Sequence, residues 1–241
     1  MGRSEVGVAG ASAWARYRAL SSRVERLAVG AALGGAAGVM TAGFLDWRIG
    51  ACSGAGVAAL HYGAGYLVPG PEAEWRRGAR AERRTGRELG GLGRGYSVLH
   101  DRTVPDLPST NLDHLVIGLT GVYAIVTRRV RRGVRVWVDE GRVWAGEESV
   151  SGIEATAARA AELVGRLLAE DLDDEFDVMP LVAVQSGKVE PEGFEHEGVV
   201  FHRGREIPEF VRSHPVIFTS AQVATITAAA ERLFPPMRLE F

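Results

Sequence analysis

Residues 111–129 read NLDHLVIGLTGVYAIVTRR. Two apolar runs, 112–117 and 122–127, flank Gly118-Leu-Thr-Gly121 and predict a β-hairpin. Asp113-His114 opens the first strand, and Val126-Thr127-Arg128 closes the second. Strands of this composition belong inside a protein, so a carboxylate at the mouth of the hairpin needs a reason.

Outward from the hairpin, the pattern predicts alternating elements. Residues 72–92 read as a helix with acids at its start and glycines after its end, and 96–101 as a short strand. Residues 134–138 and 142–145 form a second hairpin around Glu140-Gly141. Residues 151–169 carry Ile153, Ala157, Ala160, Ala161, Val164, Leu167 and Leu168 at helical spacing. VMPLVAV, 178–184, is almost wholly apolar and predicts a central strand covered on both faces. The acidic stretch 171–177 reads as a solvated loop, and 198–202 as a further strand. Helices are expected over 206–212 and 220–233, with Ser220 as the N-cap of the second. This order implies an α/β or α+β fold, a mixed sheet flanked by helices.

The chain has 241 residues, with 28 basic against 30 acidic side chains and a net charge of −2, so no global field selects nucleic acid. Charge is instead concentrated locally, with arginines crowding 76–94 and 128–135. One cysteine, Cys52, excludes an internal disulfide framework and a cysteine-built zinc site. A mean hydropathy of zero is high for a soluble protein, and its source lies near the N-terminus.

Residues 27–45, LAVGAALGGAAGVMTAGFL, contain no charge, and neither do residues 49–68. Each approaches the roughly 20 residues needed to span a bilayer as a helix. Gly30, Gly34 and Gly38 recur at four-residue spacing, as do Gly50, Gly54 and Ala58, which suits two closely packed membrane helices. Trp47 and Tyr66 fall where interfacial aromatics sit. Arg16, Arg18, Arg23 and Arg26 precede the first run, and Arg76, Arg77 and Arg80 follow the second. The positive-inside rule then places both flanks in the cytoplasm, giving a two-span membrane protein with a cytoplasmic soluble domain. A soluble Gly/Ala-rich hairpin is the alternative. Gly54-Ala-Gly56 is a poor dinucleotide fingerprint, lacking a preceding strand. Pro69-Gly70-Pro71 marks a boundary, so the chain divides into an N-terminal segment 1–26, a helical hairpin 27–68 and a domain 72–241.

Gly78-Ala-Arg-Ala-Glu82, Tyr96-Ser-Val-Leu-His-Asp101, Asn111-Leu-Asp113-His114 and Gly121-Val-Tyr-Ala-Ile-Val together resemble the NERD (nuclease-related domain) family over roughly 75–185. The resemblance implies a restriction-endonuclease-like PD-(D/E)xK fold. It also implies that Glu82 and Asp113 help to hold a divalent cation, Mg²⁺ or Mn²⁺. The family's acid-x-lysine element falls on Val126-Thr127-Arg128, which departs from the pattern. Valine offers no oxygen to a hard cation. Arg128, at the position of the catalytic lysine, keeps the charge but cannot move a proton at neutral pH.

Two functions follow. One is a metal-dependent nuclease in which Glu88, Asp101 or Glu154 replaces the lost ligand. The other, favoured by the missing acid, is a silent descendant that binds nucleic acid or a partner at the inner membrane surface. Arg129, Arg131 and Arg132, read as an extended basic segment, are the candidate phosphate contacts. The plainer account makes them a solvated edge that discourages strand pairing. Asp113 could likewise terminate a strand, His114 could bond a neighbouring backbone group, and Glu82 could belong to a helical ion pair. The glycine-rich helices also offer a surface for self-association.

Overall fold

The computed structural model describes residues 7–20, 23–67, 71–107, 111–150 and 152–237. They form two compact units, one made by the segment ending at Ala13 together with the chain from Arg77 onward, the other by Trp14–Arg76.

The first unit is built on a six-stranded mixed sheet in the order β1-β2-β3-β7-β9-β8. The strands are β1 (Tyr96–Arg102), β2 (Leu112–Gly118), β3 (Gly121–Arg129), β7 (Val178–Gln185), β8 (Phe194–His196) and β9 (Val199–Arg203). β1, β2 and β3 pair antiparallel, and β3, β7 and β9 run parallel. The expected hairpin is present, its register set by Gly118 opposite Gly121 and His114 opposite Ile125. Gly121 has φ +140°, which a side chain would strain. A separate three-stranded sheet comprises β4 (Val136–Asp139), β5 (Arg142–Ala145) and β6 (Glu148–Ser149).

Strand alternation explains which helices cover which face. Leu115, Ile117, Val122 and Ala124 pack with α5 (Ile153–Leu172) and α7 (Ser220–Leu233). Val116, Tyr123, Ile125 and Leu181 pack on the other face with Leu89 of α4 (Pro71–Leu89) and Ile207 and Val211 of α6 (Ile207–Ser213). β7, central and apolar as expected, contributes to both faces. Thr219 rather than Ser220 caps α7, because Thr219 and Gln222 form a reciprocal capping box. The acidic stretch also begins later than its composition suggests: α5 continues to Leu172, and Asp171 pairs with Arg232 at 2.7 Å.

The second unit contains α2 (Arg23–Phe44) and α3 (Trp47–Leu67), joined by a short turn in which Asp46 Oδ1 accepts the Arg48 N–H at 2.7 Å. The helices meet antiparallel through their small residues. A Cβ on Gly34 would lie 2.5 Å from the Gly54 carbonyl oxygen, and one on Gly50 would lie 2.6 Å from that of Gly38. Leu33, Val39, Met40 and Phe44 point outward and are exposed. Among the described residues, only Leu27–Phe44 is long and apolar enough to cross a membrane. α3 reaches a similar length, but glycine, serine, tyrosine and histidine dilute its hydropathy. The side chains of Arg23, Arg26 and Tyr66, and the Pro69-Gly70 break, lie outside the described residues.

Candidate functional site

The mouth of the hairpin lies beside the carboxyl end of β3. Asp113 enters β2 there, and its Oδ2 accepts the Thr127 backbone N–H at 2.6 Å. Its side chain is only part-exposed. Burial pushes its carboxyl up to about 7, the Thr127 N–H opposes the rise, and the charge of Asp101 adds to it. Asp113 therefore keeps its proton well above the ordinary carboxylate range.

Next to it, His114 is fully buried, and its Nδ1 lies 2.8 Å from Nδ1 of His100 on β1. Burial and then His100 hold His114 well below the usual histidine range, against the Glu82 main chain, which favours the charged ring. Burial and Arg102 lower His100 as well, against Asp101. Two neutral rings thus share one proton across the gap. Through His100, His114 joins β2 to β1, a positioning role.

Asp101, the nearest additional acid, is occupied. Its carboxylate accepts the Ser12 backbone N–H at 2.6 Å and the Ser12 hydroxyl at 2.7 Å. The Asn111 amide donates to the same carboxylate at 2.5 Å. Asp101 has φ +54°, and this left-handed kink in β1 turns its side chain toward Ser12 and Asn111. Asn111 therefore serves as a brace for Asp101.

Of the other carboxylates, Glu88 and Glu154 are held elsewhere. Glu82 lies on α4, and a Cβ on Gly78, one turn earlier, would come 4.0 Å from its Oε1. Glu88 accepts from Arg84 Nε at 3.0 Å and Gln185 Nε2 at 2.6 Å. Glu154 accepts the Gly152 N–H at 2.9 Å and faces His196 Nδ1 at 3.6 Å. Val126 packs against two apolar clusters and supplies no ligand. Among the described residues, no group of three or more His, Cys, Asp or Glu side chains is placed to hold a metal ion. The donor set does not fit Mg²⁺ or Mn²⁺, which need several oxygens around one point.

Arg128, Arg129 and Arg131 are exposed and line a groove of about 500 Å³ whose wall also carries Glu147 and Glu148. The extended reading of the basic run stops short: β3 ends at Arg129, and Val134 N–H closes a turn onto the Arg131 carbonyl at 3.1 Å. Gly133, with φ +79°, permits that turn, and exposed Arg132 lies on it. On the opposite side of β3, Thr127 Oγ1 meets Thr85 Oγ1 at 3.2 Å, and Gln185 Nε2 reaches Thr85 at 3.0 Å.

Residues 77–185, from α4 through β7, match the family model of the nuclease-related domain. The chain carries a nuclease-related domain. No curated protein and no solved structure matches the chain. Within the nuclease-related domain, the signature residues Asn111, Asp113 and His114 gather at one end of the sheet with His100 and Asp101. The contributions of Ser12, Thr85, His100 and Gln185 went unread in the sequence, because each acts through a partner at least 14 residues away. Gln185-Ser-Gly-Lys188, a polar break directly after an apolar strand, is the one signal that could have drawn attention to this edge.

Proposed function

We propose that the nuclease-related domain is a catalytically silent nucleic-acid-binding module, held at the inner face of the cell membrane by α2 and α3. The observation that carries this reading is the ligand set. Asp113 is retained, Val126 occupies the position of the second acid, and Asp101, Glu88 and Glu154 are tied to other partners. Arg128, Arg129, Arg131 and Arg132 remain exposed beside it and can contact phosphates, a sequence-independent mode of binding. The outward apolar side chains of α2 and the arginines on both flanks support two spans with the domain in the cytoplasm. Gly34, Gly38, Gly50 and Gly54 are consumed by the contact between α2 and α3. Self-association would therefore use the other faces, where Gly35, Gly43 and Gly56 have open space.

The electrostatic proximity of Asp101 to Asp113 favours a second reading, an active nuclease that recruits Asp101 once Ser12 and Asn111 release it. Calorimetry of the full chain in detergent with Mg²⁺ or Mn²⁺, followed by a DNA-cleavage assay, separates the two. The silent reading expects no stoichiometric metal binding and no cleavage. Metal-dependent cleavage abolished by Asp113→Ala would sink it. Recovery of the full chain in the supernatant after membrane pelleting would remove the anchor.

A further inference from the structure

The carboxyl ends of β7 and β9 enclose a pocket of about 320 Å³ that the hairpin site does not use. Arg84 and Glu88 of α4 form one wall, the 185–188 turn a second, and the 203–205 turn the third. In α/β sheets, the crevice outside the carboxyl ends of parallel strands is the usual ligand position. Here β3, β7 and β9 are those strands.

The pocket is built around a polar floor. Gln185 is 3% exposed, and its amide nitrogen is shared between Thr85 and Glu88. Gly204 leaves room for that arrangement, since a Cβ there would collide with Gln185 and come 2.7 Å from Glu88 Oε2. Gly187 holds the turn equally closely, with a Cβ position 3.0 Å from Val184 Cγ1 and 3.1 Å from Val130 Cβ. Lys188 N–H donates to the Val134 carbonyl at 2.8 Å, fixing the backbone that presents its side chain.

Charge identifies the ligand class. Arg84, Lys188, Arg203 and Arg205 line the pocket against one lining carboxylate, Glu88, which Arg84 and Gln185 already satisfy. Arg203 is held in place by the Val189 carbonyl at 2.8 Å and by Glu206 at 3.3 Å, and Glu206 also engages Arg205 at 3.2 Å. Exposed Lys188 makes no ion pair among the described residues. A net positive, three-walled pocket of this size takes a single compact anion rather than a running backbone. The pocket's turn is tied to the end of the chain segment that carries the arginine groove by Val130 N–H on the Gln185 carbonyl at 3.0 Å, Gly133 N–H on the Ser186 carbonyl at 3.1 Å and the Val134–Lys188 bond.

We infer that this pocket binds the terminal phosphate monoester of a nucleic-acid strand whose backbone lies along the arginine groove, an inference that rests on the nucleic-acid reading above. A monoester dianion carries three outer oxygens and more charge than an internal diester, so it uses several converging cations better. The domain would then select strand ends over internal sequence.

The test is fluorescence anisotropy of the full chain in detergent with EDTA present. Single-stranded 12-mers bearing a 5′-phosphate, a 3′-phosphate or hydroxyls at both ends are compared. The expected result is about tenfold tighter binding of one phosphorylated form, with the preference lost in Lys188→Gln, an exposed change that leaves the fold intact. Internal-backbone affinity should persist in that variant, and the salt slope should fall by about one for the contact removed. Equal affinity for all three oligonucleotides overturns the inference and leaves nucleic-acid binding standing. A preference that survives in both Lys188→Gln and Arg205→Gln also overturns it. Binding of none of them overturns the functional reading with it. Tight binding of inorganic phosphate or a nucleoside monophosphate, matching the phosphorylated 12-mer, overturns the assignment to a nucleic-acid end.

Discussion

Replacing Asp113 by asparagine tests the burial argument at the centre of the site. The folded chain holds this carboxyl at about 7 against an ordinary value of 3.8. Three units at ~1.36 kcal/mol each amount to ~4 kcal/mol. Residual contact of the part-exposed side chain with water reduces this to about 2 kcal/mol. Between these two values the folded chain keeps a proton that the unfolded chain has lost. The contribution of Asp113 to stability is therefore complete below about pH 4, falls as pH rises toward 7 and stays low above that. Asparagine keeps an oxygen to accept the Thr127 N–H and carries no charge. Asp113→Asn should match the parent near pH 4 and exceed it by about 2 kcal/mol at pH 8. Thermal unfolding of the full chain in detergent reads this as a rise in Tm of about 4–8 °C at pH 8 alone. A variant equally or less stable at pH 8 would refute the claim that burial dominates the electrostatics of Asp113.

Three further changes probe other parts of the molecule. Val126→Glu with Arg128→Lys should raise Mn²⁺ affinity by calorimetry more than either change alone, because a new oxygen counts only when it and Asp113 reach the same ion. Val126→Glu alone should lower Tm, since a carboxylate against two apolar clusters costs on the order of 2 kcal/mol or more. In a Cys52→Ser background, Thr41→Cys and Ser53→Cys should crosslink, because these hydroxyls lie 3.0 Å apart across the helical hairpin. Gly34→Leu should abolish that crosslink, since its Cβ would meet the Gly54 carbonyl, and an undiminished yield would disprove the close glycine contact. Thr219→Ala should remove the capping box of α7 and cost about 1 kcal/mol, with Ser220→Ala much milder in the same unfolding assay.

Local chemistry made several features legible in the sequence. The hairpin followed from two apolar runs around Gly118 and Gly121, and α5 and β7 followed from their periodicity and apolar length. The family signature was legible because Asn111, Asp113 and His114 stand close together in the chain, and the loss of an acid at Val126 needed only its side-chain identity. Small β8 escaped notice because three residues carry too little pattern, and the α7 cap was misplaced by one residue where two hydroxyls are adjacent.

Only the tertiary structure decided what each polar group does. Ser12 and Asp101 stand 89 positions apart, and Thr85 and Gln185 stand 100 apart. No local propensity encodes such pairings; strand order and helix placement create them. The same holds for Asp113, whose raised pKa comes from the burial and neighbouring charge that folding imposes. Residue types and spacing are properties of the chain, whereas solvation and long-range partners exist only once the sheet has closed around them.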